Sequence, residues 1–355
     1  MSRAPEGALP ESDVYPGAPH PRLATRLIGH RPAESELLEA YRGEKLPHAW
    51  LIGGREGIGK ATLAWRFARF ILAQPDPTAP QVRAATDLGV DPQARAARQA
   101  MALAHPDLVV LRRSWNQQTK ALRSEISVDD ARAALDLFHK SAGAGGWRIC
   151  IVDCADDLNR ASANALLKMI EEPPPRSLFL IVAHRPGQVL ATIRSRTRRL
   201  ALDGLDAEEI AAIVGGLGEP WSATTPEKVA RAAARANGSV REALARIDPA
   251  GAEIGALIES AVARLPAVDF SEVHRLADAV GARGAGGAFD GLMNALYDWL
   301  AARARAGGDG ARLAPIAELW DKIRVATREA EAYNLDRKLH ILSVFAEFSA
   351  AARRL

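Results

Sequence analysis

The segment Leu51–Leu72, LIGGREGIGKATLAWRFARFIL, limits the fold more than any other stretch of this chain. A short apolar run leads into Gly53, Gly54, Gly57 and Gly59, then Lys60, then a breaker-free stretch of helix formers. Strand, tight glycine turn and helix follow in that order. Gly54–Lys60, GREGIGK, satisfies G-x-x-x-x-G-K. Glycines let successive backbone N–H groups curl around phosphate oxygens, and the helix presents its positive N-terminus to the same anion. A lysine there neutralises the terminal phosphates. Gly54, Gly57, Gly59 and Lys60, followed by Ala61 and Thr62 on the first turn of the helix, are therefore the expected nucleotide-binding residues.

The rest of the first two hundred residues repeats the strand–helix alternation. His48–Gly54, Pro106–Arg113, Trp147–Cys154 and Ser177–His184 are short runs, apolar on both faces, as in strands buried within a parallel sheet. Helical stretches at Lys60–Leu72, Val128–Lys140 and Ala161–Glu171 fall between them, and RRLALDGL closes the series. The pattern predicts an α/β class domain over residues 22–205 with a mostly parallel sheet. From Asp206 the strand signal stops. Residues 206–248 predict a small helical domain, with Asp206 as an N-cap and a break at Asn237–Gly238. DPAG (Asp248–Gly251) reads as a linker, and residues 249–355 as an all-helical C-terminal domain interrupted at Gly281–Gly287 and at Gly307, Gly308 and Gly310. At 355 residues the chain is long enough for this many parts. Residues 1–21, rich in Pro, Gly and acidic side chains, predict a disordered tail without a secretory core. Pro75–Arg98 reads as polar and irregular.

The loop alone does not make a hydrolase. Mg²⁺ in such sites is held by a hydroxyl directly after the lysine and by an acidic residue ending another strand. The hydroxyl position is Ala61; Thr62 lies about 100° further round the helix. The acidic position is filled by Asp153, at the end of RICIV, with Cys154 after it. A thiol there is mostly uncharged at neutral pH.

Asp157–Leu202 carries a group of motifs in order: NALLKMIEEPP (Asn164–Pro174), a strand ending at His184, and Ser195-Arg196-Thr197. This region closely resembles bacterial clamp-loader subunits of the AAA+ family, where an "NALLKxLEEPP" helix precedes a sensor strand and an "SRC" motif. GSVREAL (Gly238–Leu244) resembles the sensor-2 helix of that family's lid, which places Arg241 at the sensor arginine, and His184 falls at the sensor-1 position. The resemblance runs from RLIGH (Arg26–His30) to about residue 248. It implies an AAA+ P-loop domain (22–205), a helical lid (206–248) and a collar domain for oligomerisation (249–355). Motor members, gamma and tau, carry hydroxyls after the lysine and Asp-Glu on the acidic strand. The chain's Lys60-Ala61 and Asp153-Cys154 instead resemble the delta-prime branch, a stator whose own ATPase is weak or absent.

The resemblance further implies that Arg196 acts as an arginine finger on a neighbour's nucleotide, and that the partners are gamma/tau and delta subunits, with the sliding clamp and primer-template DNA reached through the complex. ATP binding through Gly54, Gly57, Gly59, Lys60, Ala61, Thr62, Asp153 and Arg241 is the expectation, with little hydrolysis. The family's four-cysteine zinc module has no counterpart, since Pro75–Ala104 contains no cysteine, so neither zinc nor another metal is expected. Two cysteines, a net charge of +3 and no apolar run of spanning length fit a cytoplasmic protein away from membranes. Arg194, Arg196 and Arg198 would share one face if extended. Arg160 and Lys168 read as a solvated helix face. Leu335, Leu339, Leu342, Phe345 and Phe348 read as one apolar helix face, with Trp299 and Trp320 in the same core. Two other readings stay open: an active AAA+ motor ATPase, of gamma/tau or helicase type, and a free-standing nucleotide-binding regulator.

Overall fold

The computed structural model describes residues 10–43, 45–139, 146–281, 286–306, 310–332 and 335–352. The chain divides into two compact units, Met1–Leu244 and Ala245–Leu355. The first holds the strands β1 (Ala49–Gly53), β2 (Leu108–Leu111), β3 (Trp115–Asn116), β4 (Ala121–Leu122), β5 (Arg148–Val152), β6 (Ser177–Ala183) and β7 (Arg198–Ala201). Five of them form one parallel sheet in the order β2-β5-β6-β1-β7, and β3 with β4 make a small antiparallel ribbon. The four central and edge strands expected from apolar runs all form, and the RRLA segment supplies the fifth.

Side chains of the inner strands alternate between two cores. Trp50, Ile52, Ile149, Ile151, Leu178, Leu180 and Val182 point to one side of the sheet. Leu51, Cys150, Val152, Phe179, Ile181 and Ala183 point to the other. The helices α1 (Arg31–Arg42) and α2 (Lys60–Ala73) cover the first face, where Leu37, Leu63, Phe67 and Phe70 are buried. After the short α3 (Pro80–Ala84) and α4 (Arg95–Met101), the helices α5 (Val128–His139) and α6 (Arg160–Glu171) cover the second with Leu135, Phe138, Leu166 and Ile170. Both faces being dry explains why these strands read as continuous apolar runs. This is the doubly covered α/β architecture with a mostly parallel sheet that the strand–helix alternation predicts.

Two segments depart from the sequence reading. Residues 10–21 of the expected tail are folded: His20 is buried edge-on to Trp65, with Nε2 2.9 Å from Asp13, and Arg112 bonds both Glu11 and Asp13 at 2.7 Å. The acidic residues that suggested disorder serve as partners for arginines; residues 1–9 lie outside the described residues. Pro75–Arg98, expected to be irregular, contains α3 and the start of α4. Glu34 fixes it from beneath: its Oε1 accepts from Arg66 at 2.9 Å and from the Leu88 N–H at 3.2 Å. Arg42 donates to the Val82 carbonyl at 2.8 Å.

After the short α7 (Ala191–Arg194) and β7, the first unit continues as α8 (Ala207–Gly216), α9 (Pro226–Ala234) and α10 (Val240–Ile247). Asp206 caps α8 through a reciprocal capping box with Glu209. The break before α10 needs its glycine: Gly238 has φ +82, and a Cβ there would stand 2.5 Å from Gly204 Cα. The expected lid packs into the same compact unit as the α/β domain up to Leu244.

The second unit is helical: α11 (Pro249–Ala263), α12 (Phe270–Gly281), α13 (Gly286–Ala306), α14 (Gly310–Ala332) and α15 (Arg337–Ala351). DPAG is not a linker. Asp248 N-caps α11 by accepting from the Gly251 N–H at 3.0 Å, and Pro249 occupies the first turn, where it loses no bond. The breaker at 282–285 and the glycines at 307–309 lie outside the described residues. On α15 the buried face is Ile341, Val344, Phe345 and Phe348, while Leu335 and Leu339 are exposed. Of the expected stripe, Phe345 and Phe348 are buried and Leu342 packs against the same core, while Leu335, ahead of the helix, and Leu339 on its first turn stay outside it. Trp299 meets Phe348 edge-on with ring centres 5.7 Å apart, and Trp320 lies against Tyr297.

Candidate nucleotide site

The site lies at the C-terminal ends of β1, β5 and β6, outside the carboxyl edge where open parallel sheets place their ligands. Gly54 leaves β1 with φ +147, and a Cβ there would stand 2.5 Å from the Leu202 carbonyl oxygen. Gly57 and Gly59 have φ +76 and +104, both left-handed, so the turn into α2 depends on them. Gly59 is the N-cap of α2 and offers no side-chain cap. His30 Nε2 lies 2.6 Å from the Ile58 carbonyl oxygen and braces the turn from outside.

Lys60 begins α2 and is buried, its Nζ donating to the carbonyl of Arg55 within its own loop. Burial pulls its ammonium pKa down to about 8. Ala61 and Thr62 follow on the same turn, and Ala61 packs against the apolar core. A methyl group thus stands where a metal-binding hydroxyl would.

Asp153 ends β5 beside Lys60. Burial, with the charge of Asp13 next, raises its carboxyl to about 8, although Lys60 works in the opposite direction. Its Oδ2 is buried without a hydrogen-bond partner, which disfavours the ionised form in the same direction. Cys154 is also buried, which raises its thiol well above the usual value, so no base stands there to polarise water. His184 is half-buried; desolvation and then the charge of Lys60 hold its pKa down to about 4. A neutral imidazole there supplies no fixed charge. Asp156 positions it by accepting from the backbone N–H groups of His184 (2.6 Å) and Arg185 (2.9 Å).

The lid reaches this loop directly. Arg241, on the first turn of α10, places Nε 3.1 Å from Glu56 Oε1, and Glu242 pairs with Arg55 at 3.5 Å. The Val240 N–H donates to the Gly57 carbonyl at 2.9 Å. The glycine parts therefore have the shape of a phosphate cradle, and the Lys60 ammonium and Asp153 carboxyl stand beside it. In the arrangement described, Lys60, Gly57 and Arg241 are engaged with the chain itself, so a phosphate fits only in exchange for those contacts.

Arg196 stands apart from this cluster. It follows α7 on the surface, with Nε 2.9 Å from Glu171 and 42% of its side chain exposed. Arg194 lies in a helix, Arg196 in a turn and Arg198 in a strand, so the three do not share one extended face. Arg198 pairs with Glu36 at 2.9 Å and lies over the Trp50 ring. Arg160 and Lys168 are exposed on α6. Glu56, His30, Asp156 and Tyr15 were missed as site residues. Glu56 occupies a variable position of the loop motif, and the contacts of the others are long-range, so no local spacing marks them.

A family described as "DNA polymerase III, delta subunit" matches residues 29–206, half of the chain. The delta-prime subunit of DNA polymerase III from Pseudomonas aeruginosa is 32% identical over 149 residues, covering 42% of this chain and 41% of that protein. The delta-prime subunit from Escherichia coli is 31% identical over 168 residues, covering 47% and 46%. The tau subunit from Escherichia coli is 29% identical over 231 residues, covering 65% of this chain and 33% of that protein. The chain thus spans less than half the length of each of these relatives.

Proposed function

Because the chain belongs to the DNA polymerase III delta-subunit family, within the clamp-loader group, we propose that it works as the stator of a clamp loader, in the manner of delta-prime subunits. In this reading it joins gamma/tau and delta subunits in the cytoplasm, helps set a sliding clamp on primer-template DNA, and contributes Arg196 to a neighbour's ATP. The helical domain 249–355 serves as its collar, and 206–248 as the lid of the AAA+ domain 22–205.

One observation carries the reading: the hydrolytic positions are chemically disarmed while a finger arginine stays on the surface. Ala61 cannot ligate Mg²⁺, and the buried Cys154 thiol cannot act as a base. Arg196, 42% exposed, pairs with Glu171 at 2.9 Å and bonds Thr192 and Ser195 at 3.2 Å, all contacts at the surface, so it remains in reach of another chain. A guanidinium needs no deprotonation and matches phosphate oxygens through paired donors. ATP, if bound, would supply a triphosphate for Gly54, Gly57, Gly59 and Lys60 to hold, with Asp153 and Thr62 as the further residues that would face it. Lys60 would orient the phosphates, and neither Ala61 nor Cys154 offers a group that activates water.

Steady-state turnover of the purified chain tests this reading. ATP hydrolysis is expected to be negligible, and Ala61→Thr alone is expected not to restore it because Cys154 still lacks a carboxylate. The competing reading, an active motor, draws on the longer match to tau and on the retained Lys60 and Asp153. A rate typical of P-loop ATPases would establish it instead.

A further inference from the structure

Arg241, the residue aligned with a nucleotide sensor, is held by two groups of its own chain. Glu56 stands 3.1 Å from its Nε, and the Tyr15 ring lies under its guanidinium with Cζ 5.5 Å from the ring centre. Tyr15 is fixed in turn by Trp221, whose ring it meets edge-on at 5.8 Å and whose Nε1 donates to the Gly17 carbonyl at 2.9 Å. The adjacent residues complete a crossed pattern. Arg55 and Glu56 of the loop face Glu242 and Arg241 of α10, so both opposite-charge pairs form in a single register, and shifting by one residue would set like charges together. Between the pairs, the Val240 N–H bonds the Gly57 carbonyl, and a side chain at Gly57 would collide with Ser239.

We propose that these contacts form a latch that holds α10 closed on the loop without nucleotide, and that Glu56 competes with a nucleotide's phosphate for Arg241. The proposal goes beyond the stator reading and rests only on its assignment of Gly54–Lys60 as a nucleotide loop. In ordinary AAA+ logic a phosphate draws the sensor arginine in; here a carboxylate from the loop does so, and the Lys60 ammonium turns onto the Arg55 carbonyl. A subunit closed this way keeps a fixed shape whether or not its neighbours carry ATP, as a stator requires. Glu56 and Glu242 are each about one-third exposed, so salt weakens the latch.

The experiment uses the full chain. The variant Glu56→Gln with Glu242→Gln removes both pairs at nearly constant volume, and Glu56→Arg with Arg241→Glu reverses one of them. Amide hydrogen exchange is followed over residues 54–60 and 239–244, and binding of a fluorescent (mant) ATP with Mg²⁺ is titrated in parallel. The double glutamine variant is expected to exchange about three- to tenfold faster, the range two half-exposed ion pairs supply. It is expected to bind mant-ATP more tightly by a similar factor. The wild type in molar salt should exchange like that variant, and the reversed pair should exchange slowly again. Exchange unchanged in the double glutamine variant, or equally fast in the reversed variant, overturns the latch. Faster exchange with mant-ATP affinity unchanged overturns the competition. Faster exchange with no mant-ATP binding in any variant overturns the nucleotide-loop assignment itself. The Arg196 role is untouched by these outcomes, since it is read in an assembled complex.

Discussion

Asp156 accepts hydrogen bonds from the backbone N–H of His184 at 2.6 Å and of Arg185 at 2.9 Å, tying the turn after β5 to the end of β6. Both amides sit where the chain leaves a buried strand, that of His184 half-buried and that of Arg185 exposed. Asp156→Ala is expected to destabilise the protein by about 1–2 kcal/mol, chiefly through the His184 bond to a charged acceptor. Denaturant unfolding measures it, and Asp156→Asn should cost less because its one carbonyl oxygen still accepts. A neutral result would mean that water replaces the carboxylate.

Glu34 is expected to be more sensitive still. It is buried under Pro75–Arg98, bonds the Arg66 guanidinium at 2.9 Å and receives the Leu88 N–H at 3.2 Å. Glu34→Ala leaves the buried Arg66 guanidinium with the more distant Asp87, at 3.9 Å, as its counter-charge, at a cost of about 2–4 kcal/mol. Limited proteolysis should then cut first within residues 75–98. An unchanged cleavage pattern would show that Arg42 alone anchors the segment.

These two residues also mark where the sequence was readable. The strand–loop–helix at Leu51–Leu72, the β5 and β6 runs and the capped start of α8 follow from local period, glycine placement and an N-cap, and all were legible. Glu34, Glu11 and Asp13 act across long chain separations, so their composition reads as solvated polar sequence while Glu34 in fact pairs with the buried Arg66 and Glu11 and Asp13 with the half-buried Arg112. The site divides in the same way. Gly54, Gly57, Gly59, Lys60 and Asp153 sit at positions fixed by a motif, whereas Glu56 and Tyr15 matter only once the lid folds back on the loop. The expected α15 stripe holds at Leu342, Phe345 and Phe348 but not at Leu335, which precedes the helix, or at the exposed Leu339, because spacing alone does not say where along a stripe the cover ends.

The helical C-terminal unit carries a pH dependence. His340 is buried beside Phe289, with Nε2 3.1 Å from Thr327 Oγ1, and that hydroxyl donates to the Ile323 carbonyl at 2.8 Å. Burial lowers its pKa below the ordinary 6.5. The folded unit therefore keeps His340 neutral while the unfolded chain takes up a proton. The stabilisation is complete above the unfolded pKa and is lost as pH falls through the folded one. The melting temperature should drop on going from pH 7 towards acid, and His340→Gln should remove that part of the drop. Parallel pH profiles for the two proteins would assign the slope to another group.

The central claim is that this chain acts through a neighbour's nucleotide and not through its own. The most direct measurement compares Arg196→Ala and Lys60→Ala, each in a loader reconstituted with unaltered partner subunits, by clamp- and DNA-stimulated ATP hydrolysis. Arginine fingers contribute about 10³–10⁵-fold at a single site, and the other interfaces of the complex dilute this to a partial loss. The account predicts that Arg196→Ala assembles normally yet loses much of the stimulated rate and of clamp loading, while Lys60→Ala stays near wild type. Loss of loading in Lys60→Ala with Arg196→Ala unaffected would contradict it.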